Sequence, residues 1–510
     1  MKCLKACIFY QGNHQKPVKY IIETMLSMLG ITCRFISSDI NEIKDDEFLV
    51  TYGPTAPKTT RRHHLHVNQS SFFDKNYKTR EAMPKEPLSH LLRGEISPDI
   101  NDNGLFLRNK SIPIIFWANK HSHENSLYWE HGSLNIEADI FASAFYVLSR
   151  YEELFNSRFD QDDRFLAIDS LATRENFIDR PIVDEYCEIL LAMISNIYPG
   201  EQYSRFRAWP KGKFAISLSH DVDQLYKYKY NIMRTLKYRL VPLIKKGNIQ
   251  SATNLISDMI LIGTKLRKDA FGSLESVRAI ERQYDLISTF FFLAPEGHNR
   301  NLSHSINLTD KRYGKIKNSI KSLEKESCEI AFHPGIATSD NPDQFIWEKN
   351  RIQMFTDSSL SGVRQHGLRW KTPITWRIHE KFKLIYDSSM TFADNIGFRC
   401  GTCYPFMPYD IELNRVINIW ELPLNVMDVS LSDYMKLNPD EGILKITELI
   451  DTVKHHGGVF SLLWHHSFED NTRRPKWLNM YRNIVEQISR NDCWITTGEQ
   501  LIRYWKKPKN

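Results

Sequence analysis

Short apolar runs that end in Asp, His or Arg recur along the second half of this 510-residue chain. The run Phe214–Leu218 leads into Ser-His-Asp-Val-Asp at residues 219–223, and the run 458–462 leads into Leu463-Trp464-His465. A continuous apolar run of this length, followed by polar residues, is typical of a buried parallel strand. Because the carboxyl ends of parallel strands in a β/α barrel face one mouth, the polar residues are predicted to meet in one site.

Eight strand candidates alternate with helical segments, which predicts a carboxy-terminal complete or distorted (β/α) barrel over residues 211–510. The candidates are 213–219, 286–294, 328–333, 362–368, 384–388, 417–423, 458–465 and 493–496. A long basic segment of helical pattern, residues 224–271, follows the first strand and is predicted to be an insertion that covers the mouth of the site.

Residues 1–210 are predicted to form a smaller α/β domain ahead of the barrel. The Pro and Gly in residues 207–212 precede an abrupt apolar strand and mark the boundary. The expected strands are 6–10 and 31–37, and the expected helices are 18–29, 141–154 and 182–197. The apolar stripes of these helices are interpreted as core, and the chemistry is expected in the barrel.

The chain has 67 Lys and Arg against 61 Asp and Glu, and this net charge of +6 spread over a large surface argues against nucleic-acid binding. Basic clusters at 227–239 and 245–246 indicate a solvated helix face or a face that touches a membrane or an anionic lipid head group. No stretch approaches about 20 apolar residues, and the 8 Cys are dispersed, so a soluble cytoplasmic protein with reduced thiols is expected. The sequence does not indicate an oligomeric state.

Asp221 and Asp223 flank Val222, so both side chains project to the same face if the strand continues through them. One carboxylate could then hold a metal ion while its neighbour accepts a proton from water. A cap on the following helix is the other interpretation of an Asp in this position.

Two histidines end apolar strands. His333 lies at a strand-to-loop junction before Pro334, a place suited to a metal ligand. His465 ends the apolar run that begins at residue 458. Beside an acidic group it would act as a general acid; the alternative is a core histidine bonded to a backbone carbonyl.

Arg364 and His366 alternate along one predicted strand, and Trp370 follows shortly after them. Arg364 could pair with a catalytic carboxylate and keep it ionised, or it could form a plain salt bridge. Trp370 could offer a flat surface to a sugar ring.

Taken in order, these residues resemble the motifs of the polysaccharide deacetylase family, carbohydrate esterase family 4, over residues 213–505. The resemblance implies a distorted β/α barrel, a divalent metal that is usually Zn²⁺, Asp221 as base, Asp223 and His333 as metal ligands, and His465 as acid. It also implies that Arg364 orients the base and that Asp387 belongs to a fourth motif. The first 210 residues resemble a domain of unknown function that is fused ahead of such deacetylases.

Ala337 departs from the family, because the second motif normally has a His or Ser at that position. Thr338, Ser339, His366, His220 or water remain as alternatives for the third ligand, and His366, Trp370 and Asp387 are assigned to substrate binding. The resemblance implies hydrolysis of the N-acetyl group of an amino sugar in a glycan or a lipid-linked precursor. An inactive glycan-binding or scaffold protein on the same barrel is the alternative, and Ala337 favours it.

Overall fold

The computed structural model describes residues 4–507, apart from several internal segments. Those segments are 37–38, 45, 60–63, 107, 119–125, 157, 199–208, 224, 226–234, 268, 270–273, 295–310 and 470–475. The predicted domain boundary at 207–212 and the predicted insertion at 224–271 therefore lie partly outside the described residues.

The amino-terminal part contains a six-stranded sheet in the order β2-β1-β3-β4-β8-β7. All neighbouring pairs are parallel except the β7–β8 pair. Its strands, with the separate antiparallel pair β5–β6, are β1 Lys5–Phe9, β2 Thr32–Ile36, β3 Glu47–Gly53, β4 His64–Asn68, β5 Ser89–Leu92, β6 Ser111–Ile114, β7 Leu127–Glu130 and β8 Ser133–Ile136. The helices are α1 Gln15–Met28, α2 Ile140–Leu148, α3 Tyr151–Phe155, α4 Leu171–Arg174 and α5 Ile182–Ile197.

The predicted strands and helices of this part are found to within a few residues, except that the helix predicted over 141–154 is two helices. Arg150 lies between α2 and α3 with a left-handed φ of 54°. Its buried guanidinium donates to the carboxylate of Glu153 at 2.9 Å and to the backbone carbonyl of Arg399. The apolar stripe runs on through the break, so the hydrophobic pattern alone does not show that the helix is interrupted.

The carboxy-terminal part contains a nine-stranded parallel sheet in the order β16-β13-β12-β11-β10-β9-β18-β17, with β19 also paired to β9. Strand β9 is long enough to pair with β19 through Phe214–Ser217 and with β10 through Ser219–Val222. The strands of this sheet are β9 Phe214–Val222, β10 Thr289–Leu293, β11 Glu329–His333, β12 Gly362–Val363, β13 Tyr386–Asp387, β16 Trp420–Glu421, β17 Val426–Met427, β18 Val459–Leu463 and β19 Cys493–Thr496. A small antiparallel pair, β14 Tyr409–Asp410 and β15 Arg415–Val416, lies outside it.

Each of the eight predicted strands overlaps an observed strand, and the expected parallel β/α arrangement is present. The sheet is an open half-barrel, because within the described residues its two edge strands, β16 and β17, do not pair with each other. Strand β17 was not predicted, and β12, β13 and β16 are only two residues long. A strand that bonds to its neighbours over two residues leaves almost no alternating pattern in the sequence.

The helices of the carboxy-terminal part follow the strands in chain order. They are α6 Val241–Lys245, α7 Ile249–Gly263, α8 Glu275–Arg282, α9 Lys311–Lys325, α10 Pro342–Gln353, α11 Ile374–Lys381, α12 Pro439–His456, α13 Trp477–Ser489 and α14 Gly498–Trp505. Helix α12 shows why such segments end where they do: the Asn438 side chain caps its first turn, and Gly457 ends it with a left-handed φ of 70°. Within the described residues, no helix is both long and apolar enough to cross a membrane.

The two sheets share one hydrophobic core and a buried ion-pair network. The main cluster of buried apolar side chains runs from Ala6 to Trp505 and includes residues of both sheets. The Glu153 carboxylate of α3 accepts hydrogen bonds from Arg399 Nη2 at 2.8 Å and from Thr372 Oγ1 at 2.7 Å. Burial opposes its ionisation, but the charges of Arg399 and Arg150 outweigh burial and lower the pKa of Glu153 to about 2.

Candidate active site

The polar residues that end the strands meet at one edge of the nine-stranded sheet, as predicted. Asp221 and Asp223 come from the end of β9, and His333 is the last residue of β11. Arg364 and His366 follow β12, and His465 follows β18. The carboxyl ends of these parallel strands thus bring together side chains that are up to 244 positions apart in the chain.

Three of these residues form a cluster with the geometry of metal ligands. Asp223 Oδ1 lies 3.2 Å from His333 Nε2 and 3.2 Å from His366 Nδ1. The two ring nitrogens are 3.0 Å apart. One carboxylate and two imidazoles are a donor set that zinc takes in catalytic sites, where three protein ligands leave one position open.

The hydrogen bonds around the cluster fit a bound cation. His333 Nδ1 lies 2.6 Å from the carbonyl oxygen of Arg364, which can only accept, so Nδ1 carries a proton and Nε2 faces the cluster, where it would bind a cation through its lone pair. Asp223 Oδ1 is buried and has no well-aligned hydrogen bond within the described part of the chain. The oxygen instead faces the two ring nitrogens at 3.2 Å, and a metal ion coordinated by all three atoms would satisfy it.

His366 is the third member of the cluster because the chain turns sharply after β12. The strand predicted over 362–368 ends at Val363, and a tight turn follows in which Gly367 has a φ of 65°. This turn directs the His366 ring to His333, so the structure favours His366 among the alternatives left open for the third ligand over its assignment to substrate binding.

The other candidates for the third position are held elsewhere. His220 is fully buried, with Nδ1 2.8 Å from the carbonyl oxygen of Trp464 and Nε2 2.8 Å from Glu281 Oε1. Thr338 Oγ1 donates to the carbonyl of Gly335 at 2.7 Å, and Ser339 Oγ faces the carbonyl of Ile336 at 3.5 Å.

Asp221 lies beside the cluster but is held by Arg364. Arg364 Nη1 donates to Asp221 Oδ1 at 3.0 Å, and Asp221 Oδ2 lies 3.6 Å from His333 Nε2. The guanidinium is buried, donates to Ser219 Oγ at 2.8 Å and to the carbonyl of Ser388 at 2.9 Å, and lies 4.2 Å from the centre of the Phe291 ring. Arg364 is thereby fixed, and it fixes the Asp221 carboxylate next to the cluster.

His465 lies on the other side of Asp223. Its Nε2 is 3.9 Å from Asp223 Oδ2, and its Nδ1 is 2.7 Å from Asp428 Oδ1. Burial acts to lower the pKa of His465, but the negative charge of Asp428 outweighs burial and raises this pKa to about 10. The imidazole is therefore held in its protonated form with Nε2 directed toward the cluster.

Sequence reasoning missed Asp428. This residue is fully buried, and besides holding His465 Nδ1 it accepts a hydrogen bond from the His465 backbone at 2.6 Å. Asp428 follows β17, so it obeys the same rule as the other site residues, an acidic side chain at a strand end. The sequence does not predict this strand end, because β17 is only two residues long and leaves no apolar run.

Trp370 and Asp387 do not reach the site, which corrects their assignment to substrate binding. Trp370 is 3% exposed, packs edge-on against Trp376 of α11 with ring centres 5.2 Å apart, and donates to Thr372. Asp387 is completely buried, accepts from the backbone of Ser389 at 2.7 Å and lies 2.6 Å from His379 Nδ1. Both residues are covered by the helix that follows β12, so neither can contact a substrate.

A second His and carboxylate cluster is found among the described residues. His455 Nε2 and His456 Nδ1, in the last turn of α12, each lie 3.2 Å from Glu188 Oε1 of α5. The His455 side chain is 42% exposed, and the two histidines end a helix whose carboxyl terminus faces the other part of the molecule at Glu188. We interpret this cluster as an ion pair between the two parts of the molecule.

Comparisons with known proteins match parts of the chain. Residues 7–199 match the model of a family of unknown function, DUF7033. A search of curated proteins finds no match.

Solved structures resemble about three fifths of the chain. A Mycobacterium smegmatis protein assigned as a polysaccharide deacetylase is 16% identical, with 60% of this chain and 96% of that chain covered and a TM-score of 0.39. PuuE allantoinase is 14% identical, with coverages of 61% and 99% and a TM-score of 0.40. A Pseudomonas aeruginosa PAO1 protein, also assigned as a polysaccharide deacetylase, is 12% identical, with coverages of 61% and 100% and a TM-score of 0.39.

Proposed function

We propose that the protein is a metal-dependent N-deacetylase that hydrolyses the N-acetyl group of an amino sugar in a glycan or glycan precursor. The observation that carries the proposal is the arrangement at the sheet edge. Asp223, His333 and His366 form a donor cluster, Asp221 lies on one side of it held by Arg364, and His465 lies on the other side held by Asp428. The order of these residues along the chain also matches the deacetylase motifs that the sequence resembles.

Asp223, His333 and His366 are the residues that would hold the metal. A divalent cation bound there, which the donor set suggests is Zn²⁺, would supply Lewis-acid chemistry that makes water easier to deprotonate and an amide carbonyl easier to attack.

Asp221 is proposed as the general base. Its carboxylate lies next to the cluster but is bound by the guanidinium of Arg364, which keeps it in one orientation. In that position Asp221 accepts the proton of the attacking water as the water oxygen adds to the acetyl carbonyl carbon.

His465 is proposed as the general acid. Asp428 binds Nδ1 and keeps the ring protonated, so Nε2 can donate a proton to the sugar nitrogen as the bond between carbon and nitrogen breaks. The products are acetate and a free amino sugar.

The inactive alternative rested on Ala337, which removes the usual second histidine of the family. His366 provides an imidazole 3.2 Å from Asp223 Oδ1 by a different route, from the turn after β12. The number of protein donors is thus the same as in a catalytic zinc site. Ala337 therefore no longer favours the inactive alternative.

Acetate release tests the proposal. The full chain would be purified without chelator and assayed with zinc against N-acetylated mono- and oligosaccharides and a lipid-linked N-acetylated sugar. We expect acetate from at least one substrate, loss of it on chelation, and recovery when zinc is returned. Acetate from none of them, by protein shown to contain zinc, would refute the deacetylase function and leave the scaffold alternative.

A further inference from the structure

The basic charge of the chain is concentrated in the insertion that follows β9. Residues 224–271 contain ten Lys and Arg and two Asp, a net charge of +8, whereas the whole chain has a net charge of +6. All other residues together therefore have a net charge of −2. A segment of opposite sign to the rest of the molecule indicates a partner surface that is anionic.

The same insertion exposes an unusual number of aliphatic side chains. Of the fifteen large apolar residues that are exposed within the described part of the chain, six lie between positions 241 and 266. They are Val241 (42% exposed), Ile244 (51%), Ile249 (60%), Ile256 (42%), Ile260 (58%) and Leu266 (79%). We call these six residues the aliphatic patch.

Helix α7 has apolar residues on two faces. Ile256 and Ile260 lie seven and eleven positions after Ile249. This spacing puts the three residues on one face of a helix, and all three are exposed. Leu255 and Asp258 are buried on the far side of the helix, and Ala252 is buried at the border between the two faces. Because the helix already buries one apolar face in the protein, the second face is available for a partner.

The exposed charges next to the aliphatic patch are positive. Lys245, Lys246 and Lys265 are exposed, and they flank the two ends of α7. Asp258, the only acidic residue among the described positions 235–267, is buried and bound to Arg267 at 2.7 Å. Aliphatic side chains bordered by lysines are the composition of segments that insert into the head-group region of an anionic bilayer.

The insertion lies on the side of the sheet that holds the candidate active site. It leaves the chain directly after Asp223 and returns at α8, so it is the first connection at the carboxyl ends of the strands. Its first part is tied to the barrel by Lys315 Nζ, which donates to the carbonyl of Leu225 at 2.7 Å. A surface bound by the insertion would therefore lie near the mouth of the site.

We propose that residues 236–267 dock the protein on an anionic lipid bilayer, and that the substrate is an N-acetylated amino sugar attached to a lipid. The docking part rests on charge and exposure alone, whereas the substrate part rests on the proposed deacetylase function. The aliphatic patch enters the head-group region, the lysines contact lipid phosphates, and the mouth of the site faces the sugar at the bilayer surface.

Vesicle binding tests the docking. The full chain would be sedimented with vesicles of phosphatidylcholine alone and of equal parts phosphatidylcholine and phosphatidylglycerol, at low and high salt. We expect binding to the anionic vesicles that weakens at high salt. The double variant Ile256→Asp/Ile260→Asp should bind about 10- to 100-fold more weakly, because two aliphatic groups no longer enter the bilayer.

Leu444→Asp is the control for introducing an aspartate at an exposed aliphatic residue, since Leu444 is 65% exposed on α12, outside the insertion. This variant should bind the vesicles as the wild type does. The docking is refuted if the wild type does not bind anionic vesicles, or if the double variant binds them equally well. A third outcome also refutes the docking: the wild type is a dimer that does not bind vesicles, and the double variant is a monomer. In that case a second copy of the chain covers the aliphatic patch.

Two substrates separate this inference from the proposed function. The double variant should release acetate from a water-soluble N-acetylated sugar at the wild-type rate, and at least about 10-fold more slowly from a lipid-linked sugar in anionic vesicles. Vesicle binding without acetate from either substrate would refute the deacetylase function and leave the docking intact. Acetate from the soluble sugar with equal rates for both proteins on the vesicle substrate would refute the lipid-linked substrate.

Discussion

Two buried networks of charged side chains hold this molecule together, and they differ in how completely their members are paired. In the interface network, Glu153 binds Arg399, Arg150 and Thr372, and Arg150 also binds backbone carbonyls. In the mouth network, Asp221 is bound by Arg364 and His465 by Asp428. Asp223 Oδ1, between them, is buried without a well-aligned hydrogen bond within the described residues.

The difference separates a structural network from a functional one. A buried charge that is fully paired stabilises one arrangement of the chain, and removing its partner leaves an uncompensated charge. A buried acceptor that has no well-aligned hydrogen bond is expected where a ligand completes the network. Variants in the mouth network should therefore change chemistry, and variants in the interface network should change stability.

The largest effect is expected from Asp221→Asn. The amide keeps the shape of the side chain but cannot accept a proton, so acetate release should fall about 100- to 10,000-fold. Zinc content, measured by atomic emission on the same preparations, should stay at the wild-type value. Loss of zinc in this variant would show that the roles of Asp221 and Asp223 are exchanged.

Glu153→Gln should have the next largest effect, and on a different property. It leaves the buried guanidinium groups of Arg399 and Arg150 without their carboxylate, which should lower the free energy of unfolding by about 3–5 kcal/mol in urea titrations. Acetate release per folded molecule and zinc content should not change.

Glu448→Gln is the control, since its partner Lys445 is exposed and an exposed pair contributes about 1 kcal/mol or less. Equal stability of the Glu153 and Glu448 variants would contradict the assignment of the interface network as structural.

A smaller and graded effect is expected from pH. The pKa of Glu153 is lowered to about 2 in the folded protein, below its usual value of 4.5, so the ionised form favours folding. Its contribution is fully present above about pH 4.5 and is lost as the pH falls toward 2. The difference in unfolding free energy between wild type and Glu153→Gln should therefore shrink over this range, and a difference that grows on acidification would contradict the account.

The sequence predicts the parallel β/α architecture because buried parallel strands are continuous apolar runs. The ends of those runs then identify the predicted site residues, which are Asp221, Asp223, His333, Arg364 and His465. It does not predict features that depend on a single turn or contact. His366 becomes a candidate ligand through the turn at Gly367, and the predicted helix breaks at Arg150, whose side chain reaches Arg399 across the molecule. The sequence also does not show that Trp370 is buried, because the helix that packs against it comes later in the chain.

Metal content measured in three proteins tests the central claim that Asp223, His333 and His366 form the metal site. Wild type, His366→Ala and His455→Ala would be dialysed against the same zinc buffer and analysed for bound zinc. We expect about one zinc in wild type and in His455→Ala, and an affinity about 100- to 1,000-fold lower in His366→Ala, since one of a few ligands is removed. Wild-type zinc affinity in His366→Ala, or loss of zinc in His455→Ala alone, would contradict the account.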